Sequence, residues 1–374
     1  MGVIMGILIM ILVQNLLLGT YVSIRLYMAF FTKYSMWVVI TILLLINNLF
    51  LITRVLNKYL NVHVPEFITF LAHIILGITI YLVMLYLATD LIRLIFKALG
   101  KPFITNTLQG VIVTSLTIII FIYGYINSHY THITEYNIAL DKPLNKPLKI
   151  VALADLHIGA DMSQRRLFKE VEIINNQKPD IIMISGDVID HDVKDIQAGH
   201  LEAFNQLKAP LGVYAVYGNH EYYSGTFDEV MDIFNKAGFK TLVDNATYID
   251  EYGFYILGRD SLRHTNSDGS ERKSMSELAP LIEDKSKPII ILDHVPKGLA
   301  DGKSINADIQ FSGHTHDGQF FPMNLIVRAI NVISHGMIID KGFYYIVTSG
   351  LGLWGPPMRV GTKSEIMVLN VTGK

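Results

Sequence analysis

Four long apolar runs open the chain, at residues 3–24, 34–52, 67–87 and 105–125. Each approaches the roughly 20 residues needed to cross a bilayer core. The first lacks a basic leader and a clear small-residue cleavage site, and three more runs follow it, so a span is expected there rather than a cleaved signal. From residue 148 the pattern changes to short β-branched runs separated by amphipathic stretches. Runs at 148–154, 181–185 and 212–217 predict buried strands, with helices between them at 163–175 and 193–207, a βαβαβ arrangement. A helix is expected at 227–236 and strands at 247–251, 254–258, 288–292 and 307–311, with a polar loop over 259–276. Pro143 and Pro147 mark the stretch before residue 148 as an extended connector. The expected division is a four-helix transmembrane region over 1–130, a linker over 131–147 and an α/β domain over 148–374.

Composition sharpens this division. The 374 residues are 51% hydrophobic and only 17% charged, too apolar for an ordinary soluble enzyme. Up to Tyr130 there are seven basic residues to two acidic, a net +5, and the remainder has 24 to 31, a net −7. An acidic soluble part argues against nucleic-acid binding, which needs a basic footprint. Zero Cys excludes disulfides, thiolate metal sites and a Cys nucleophile. Arg25, Lys33, Arg93, Lys97 and Lys101 fall in the odd loops, against Arg54 and Lys58 in the even one, so the positive-inside rule puts the domain outside the cytoplasm of a multi-pass cell-membrane protein. Asn47, Asn48 and His73 interrupt the runs. With no charge deep in a span they read as interhelical hydrogen-bonding groups rather than a transport path.

Candidate chemistry sits where the strands end. Asp187 and Asp190 follow the strand at 181–185, and Asp155 and His157 follow the first strand. Gly218-Asn219-His220-Glu221 follows the third, with positions 155, 187 and 219 evenly 32 residues apart. His294 follows the strand at 288–292, and His314 and His316 the strand at 307–311. Parallel strands present chemistry at their carboxyl ends. An extended backbone would place Asp155 and His157, and likewise His314 and His316, on one face. A carboxylate can touch two cations at once, so this donor set reads as a two-metal hydrolytic site organised around Asp187.

The motifs Asp155-x-His157, Gly186-Asp187-x-x-Asp190, Gly218-Asn219-His220-Glu221, His294 and Gly313-His314-x-His316 resemble, in order and without departure, those of the calcineurin-like metallophosphoesterases over residues 148–372. The segment Gly350-Leu351-Gly352-Leu353-Trp354-Gly355-Pro356-Pro357-Met358-Arg359 is similar to the membrane-associated branch that includes transmembrane proteins with a metallophosphoesterase domain. The resemblance implies two mixed β-sheets sandwiched between helices. It puts Asp155, His157, Asp187 and His316 on one metal, and Asp187, Asn219, His294 and His314 on a second. His220 would be the general acid, oriented by Asp190, and a hydroxide bridging the metals the nucleophile. Donors of this kind suit manganese first, with iron or zinc as alternatives. Glu221 is expected to support the ligands rather than join them. Arg359 would either meet the substrate phosphate or pair with an acid, and Arg263 in the polar loop is a second substrate-binding candidate. The apolar segment 320–326 either rests against the bilayer or belongs to the core, the commoner fate. The expected activity is that of a membrane-anchored phosphohydrolase, a phosphodiesterase before a monoesterase, with membrane lipids as neighbours and lipid-linked or envelope phosphoesters among its substrates. The alternative is a membrane metal-binding scaffold without turnover.

Overall fold

The computed structural model describes residues 16–60, 62, 64–159, 161–261, 272–297 and 299–374. Residues 3–15 of the first apolar run and Arg263 lie outside them. The described chain forms two compact units, one running up to Ile126 with Gly355–Met358 added, the other Asn127–Trp354 with Arg359–Lys374.

The first unit is helical. Helix α1 (Leu16–Phe31) is followed by α2 (Met36–Asn47), α3 (Leu49–Tyr59), α4 (Glu66–Ala98) and α5 (Asn106–Ser128). Helices α4 and α5 are long and apolar enough to cross a membrane, and α2 with α3 makes a third candidate bent by 57°. The bend falls at Asn48, whose side chain donates to the Leu44 carbonyl 2.9 Å away. Asn47 bonds Ser23 of α1 and Thr79 of α4, each at 3.2 Å, and His73 packs on Phe50. These groups join helices to one another, as expected.

Helix α4 departs from expectation. It has 33 residues, about 50 Å at 1.5 Å each, well beyond a bilayer core of about 30 Å. The region read as a charged loop after residue 87 is therefore helical as far as Ala98, and Asp90 and Arg93 lie within the helix. Asp90 accepts from Tyr21 at 2.7 Å and Gln109 at 2.9 Å and pairs with Arg25 at 2.7 Å. Arg93 bonds Asn106 at 2.8 Å. Charge pairing lets helix continue where charge content alone suggested a loop.

The second unit has two six-stranded mixed sheets. Its strands are β1 (Thr131–Ala139), β2 (Leu148–Leu153), β3 (Ile181–Ser185), β4 (Val213–Val216), β5 (Phe239–Thr241), β6 (Asn245–Ile249), β7 (Phe254–Gly258), β8 (Ile289–Leu292), β9 (Ile309–Ser312), β10 (Gly336–Asp340), β11 (Phe343–Val347) and β12 (Ser364–Thr372). Its helices are α6 (Gln164–Asn176), α7 (Ala198–Phe204), a single turn α8 (Glu221–Ser224), α9 (Phe227–Lys236), α10 (Met275–Leu278), α11 (Leu299–Ser304) and α12 (Met323–Ile330). One sheet runs β1-β12-β2-β3-β4-β5, the other β10-β11-β9-β8-β7-β6. β2 to β5 are mutually parallel, as are β7, β8, β9 and β11.

Strand periodicity explains the layers. On β2, Ile150 and Ala152 face the other sheet, joining Met183, Ile256, Ile290 and Phe311 in one core. Val151 and Leu153 point the other way, against Leu167 and Val171 of α6 and Phe234 of α9. On the second sheet Ile289, Ile291 and Tyr345 pack outward on Met275 and Leu278 of α10. Strands buried on both faces read as continuous apolar runs, which is why they were visible in sequence.

The linker expected over 131–147 is a correction. Nine of its residues form β1, paired in parallel with β12 from Thr131↔Ser364 to Ala139↔Thr372, and only the stretch around the two prolines connects. As an edge strand β1 buries little, with Ile138 at 1% exposure its main anchor in the intersheet core. Its partner lies more than 200 residues away, beyond any local signal. Ile138→Ala is expected to destabilise this unit by about 2–4 kcal/mol, read as a lowered Tm of the purified full chain in detergent. An unchanged Tm would return residues 131–139 to the status of a spacer.

Candidate metal centre

Five parallel strand ends supply the site. Asp155 lies two residues past β2, Asp187 two past β3, Asn219 three past β4, His294 two past β8, and His314 and His316 two and four past β9. Both sheets therefore contribute. The side chains meet because the backbone turns sharply: Asp155, His157, Asp187, His314 and His316 have φ of 56°, 46°, 53°, 71° and 49°. The left-handed region costs a non-glycine residue energy and persists where surrounding structure enforces it, commonly at functional sites.

This geometry replaces the extended same-face arrangement expected for each pair. Asp155 and His157 approach one another through successive left-handed turns, with Leu156 buried between them. His314 and His316 diverge. His316 Nε2 lies 3.1 Å from His157 Nε2 and 3.5 Å from Asp155 Oδ1, while His314 Nδ1 lies 3.2 Å from His294 Nε2.

Two donor clusters share Asp187. In the first, His157 Nε2 is 3.9 Å from Asp155 Oδ1 and 3.8 Å from Asp187 Oδ2. In the second, His294 Nε2 is 3.0 Å from Asp187 Oδ2. Ligands held by bonds of about 2.1 Å are separated by about 3.0 Å along an octahedral edge and about 3.4 Å along a tetrahedral one. The His157–His316, His316–Asp155, His314–His294 and His294–Asp187 separations match such edges, and the longer distances from His157 to Asp155 and Asp187 still lie within the span of two such bonds. Asn219, between two residues whose backbone approaches Asp187, has a buried Oδ1 with no hydrogen-bond partner. A buried unsatisfied acceptor is costly, and a cation would satisfy it. The residues present therefore fit two divalent cations.

Electrostatics agree. Burial pushes the Asp155 carboxyl up to about 6. Burial acts the same way on Asp187, but His294 overrides it and holds the carboxyl well below the usual range. His294 is in turn pushed up to about 10, its desolvation outweighed by Asp187. Burial keeps His316 well below 6.5. His157 is also raised, its desolvation outweighed by Asp190 and the other carboxylates, so the metal-free centre sets carboxylates against protonated imidazole.

Glu221 collects the surrounding loops. Its two carboxylate oxygens accept from the amides of Asp187 (2.9 Å), Val188 (2.7 Å), Ile189 (3.2 Å) and Gly218 (2.7 Å). Asp190 behaves differently from expectation. Its carboxylate bonds His157 Nδ1 at 3.1 Å and lies 3.1 Å from His191 Nε2. The nearest group to His220 Nδ1 is instead the Asp190 carbonyl oxygen, at 2.5 Å. A carbonyl only accepts, so Nδ1 carries a proton and Nε2 is left to face a substrate. His191, stacked on His220, had no motif to reveal it.

Arg359 is another correction. Its guanidinium is fully buried and donates to the carbonyls of Ser349 (2.7 Å), Gly350 (3.1 Å) and Gly352 (2.9 Å). It ties the loop after β11, and its hydrogen bonds go to backbone carbonyls rather than to an acid. Arg263 lies outside the described residues. Segment 320–326 is not core, since Phe321, Met323, Leu325 and Ile326 are exposed.

A model of the calcineurin-like phosphoesterase family matches residues 148–318. An uncharacterised metallophosphoesterase of Campylobacter jejuni is 34% identical over 300 residues, 77% of each chain. One from Aquifex aeolicus is 32% identical over 259 residues, covering 67% of this chain and 96% of its own. A transmembrane protein with metallophosphoesterase domain from Danio rerio is 27% identical over 275 residues, 69% of this chain and 61% of its own. With this donor set on two mixed sheets, the chain belongs to the calcineurin-like metallophosphoesterases.

Two outcomes test the centre. Below pH of about 10 a cation must displace the His294 proton, so affinity should rise with pH and binding at pH 7 should release about one proton. Calorimetry in buffers of different ionisation heat reads this, and buffer-independent heats would contradict it. Glu221→Gln puts an amide donor among four N–H donors. It should lower bound metal by at least about tenfold in affinity, measured by metal analysis after dialysis, with Glu221→Asp partly restoring it.

Proposed function

We propose that the chain is a membrane-anchored phosphohydrolase with two divalent cations, manganese before iron or zinc, acting on phosphodiesters in preference to monoesters. The observation that carries this reading is the position of Asp187 between two donor groups, with His157 on one side and His294 and His314 on the other. When bound, the cations supply an activated water and neutralise phosphoryl oxygens. The chain's own groups do the rest. Asp155, His157 and His316 hold one cation, His294, His314 and Asn219 the other, and Asp187 joins them. Asp190 accepts from His157 Nδ1, fixing the ring so that Nε2 points at the metal. His220, held through Nδ1, acts as the imidazolium: it takes a second proton from solvent at Nε2 and gives it to the leaving alkoxide.

The anchor is read as four spans, α1 with the residues before it, α2 with α3, α4 and α5. Arg25 and Arg93 both bond Gln109, which supports placing the odd loops on one side. With Lys33, Lys97 and Lys101 they make that side cytoplasmic and put the catalytic unit outside.

His220→Gln should lower kcat by about 10²–10⁴ on a dialkyl phosphodiester, whose alkoxide needs a proton, and much less on bis(p-nitrophenyl) phosphate, while leaving metal content at two per chain. Asp187→Ala should remove both metals and all turnover. Wild-type protein loaded with manganese, iron or zinc and inactive on diesters and monoesters alike would overturn the enzymatic reading.

A further inference from the structure

The outer surface of residues 321–332 is an apolar patch that the metal centre does not use. Ile330 and Val332 are each 75% exposed, Leu325 54%, Ile326 50%, Phe321 46% and Met323 41%. Between Phe320 and Val332 there is no acidic residue and one basic residue, Arg328. Arg328 is turned back toward the protein, its Nε donating to Asp317 Oδ1 at 3.0 Å. Asn324 is buried on the inner side. The remaining helix face presents aliphatic side chains to the surroundings, the signature of a helix lying in a membrane interface.

What covers this face follows from where a membrane helix ends. Asn127 and Ser128 are the last residues of α5 and belong to the same compact unit as α12. Asn127 Nδ2 donates to the carbonyls of Arg359 (3.0 Å) and Thr362 (2.9 Å). Within that four-residue stretch, the Val360 carbonyl accepts from Phe321 N at 2.8 Å, and Thr362 Oγ1 donates to the Gln319 carbonyl at 2.6 Å. The end of an apolar helix and the start of the patch are thus fastened to the same residues. α5 has 23 residues, about 35 Å, long enough to cross a hydrocarbon core with its last residues at the boundary. A patch bonded to the same residues as Asn127 would then begin at that level. It is also tied to the centre, since Asp317, bonded to Arg328 and Ser334, follows His316 directly.

We propose that the outer face of residues 321–332 sits in the hydrocarbon–headgroup boundary of the bilayer, so that the site faces phosphoesters of membrane lipids. The substrate half of this rests on the phosphohydrolase reading. The bilayer half does not.

The absence of Cys allows single nitroxide labels on the full chain in phosphatidylcholine–phosphatidylglycerol liposomes. Ile326→Cys and Ile330→Cys are the reporters, and Glu283→Cys, at an exposed polar position, is the aqueous control. Collision with oxygen relative to a nickel chelate should be several-fold higher at 326 and 330 than at 283. Equal ratios at all three would overturn the bilayer contact. For the substrate, p-nitrophenyl phosphodiesters with a dodecyl or a methyl group are compared. The dodecyl ester should be preferred by about tenfold or more in kcat/KM, and equal rates would overturn the lipid assignment. If neither ester is cleaved, the phosphohydrolase reading and the lipid assignment fail together, and the labels still decide the bilayer contact.

Discussion

One buried carboxylate, Glu221, sets the geometry on which the metal centre depends. Four amide N–H groups from two separate loops converge on it. Three belong to consecutive residues, Asp187 to Ile189, a backbone curl that an extended strand cannot make. The turn needs Gly186 at φ 79° and brings Gly218 so close that a Cβ there would collide with the Asp187 carboxylate. Glu221 thus fixes Asp187 in direction, and Asp187 Oδ1 in turn accepts from His220 N at 2.9 Å. Asp187 and the Asn219–His220 turn are positioned by one chain of bonds. That chain is built from backbone groups and so does not depend on the cations.

The centre is held together by opposite charge even without cations. Asp187 and His294 form a buried ion pair at 3.0 Å. The folded pKa of His294 lies above its ordinary value, so this contribution to stability is complete below about 6.5 and is lost as pH rises through about 10. Cations held by these donors would replace that proton, so the same carboxylate would be neutralised in both states. The αββα layering makes this feasible, because each ligand loop leaves a strand buried on both faces and inherits its rigidity.

Most of the fold, and the convergence of Asp155, His157, Asp187, His294, His314 and His316, was legible because short apolar runs ended in charged or polar residues at regular spacing. Helix α9 and strand β7 coincide with the periodicity over 227–236 and 254–258. What was hidden shares a physical character: it depended on partners far away in sequence. β1 takes its identity from β12. α4 continues through Asp90 because Arg25 and Gln109 neutralise it. Arg359 reads by sequence as a partner for a substrate phosphate or an acid, yet in the fold it is buried and donates to carbonyls. The route by which Asp155 meets His157 was also misread, since alternation assumes extended backbone and left-handed turns leave no mark on residue type.

Those left-handed turns carry a consequence for the evolution of the chain. Five ligand residues occupy backbone conformations that glycine or asparagine would adopt at lower cost. At these places thermodynamic robustness and turnover pull in opposite directions. A library selected only for folded, heat-resistant protein would drift toward glycine at 155, 157, 187, 314 and 316, and would become sturdier as it lost its chemistry.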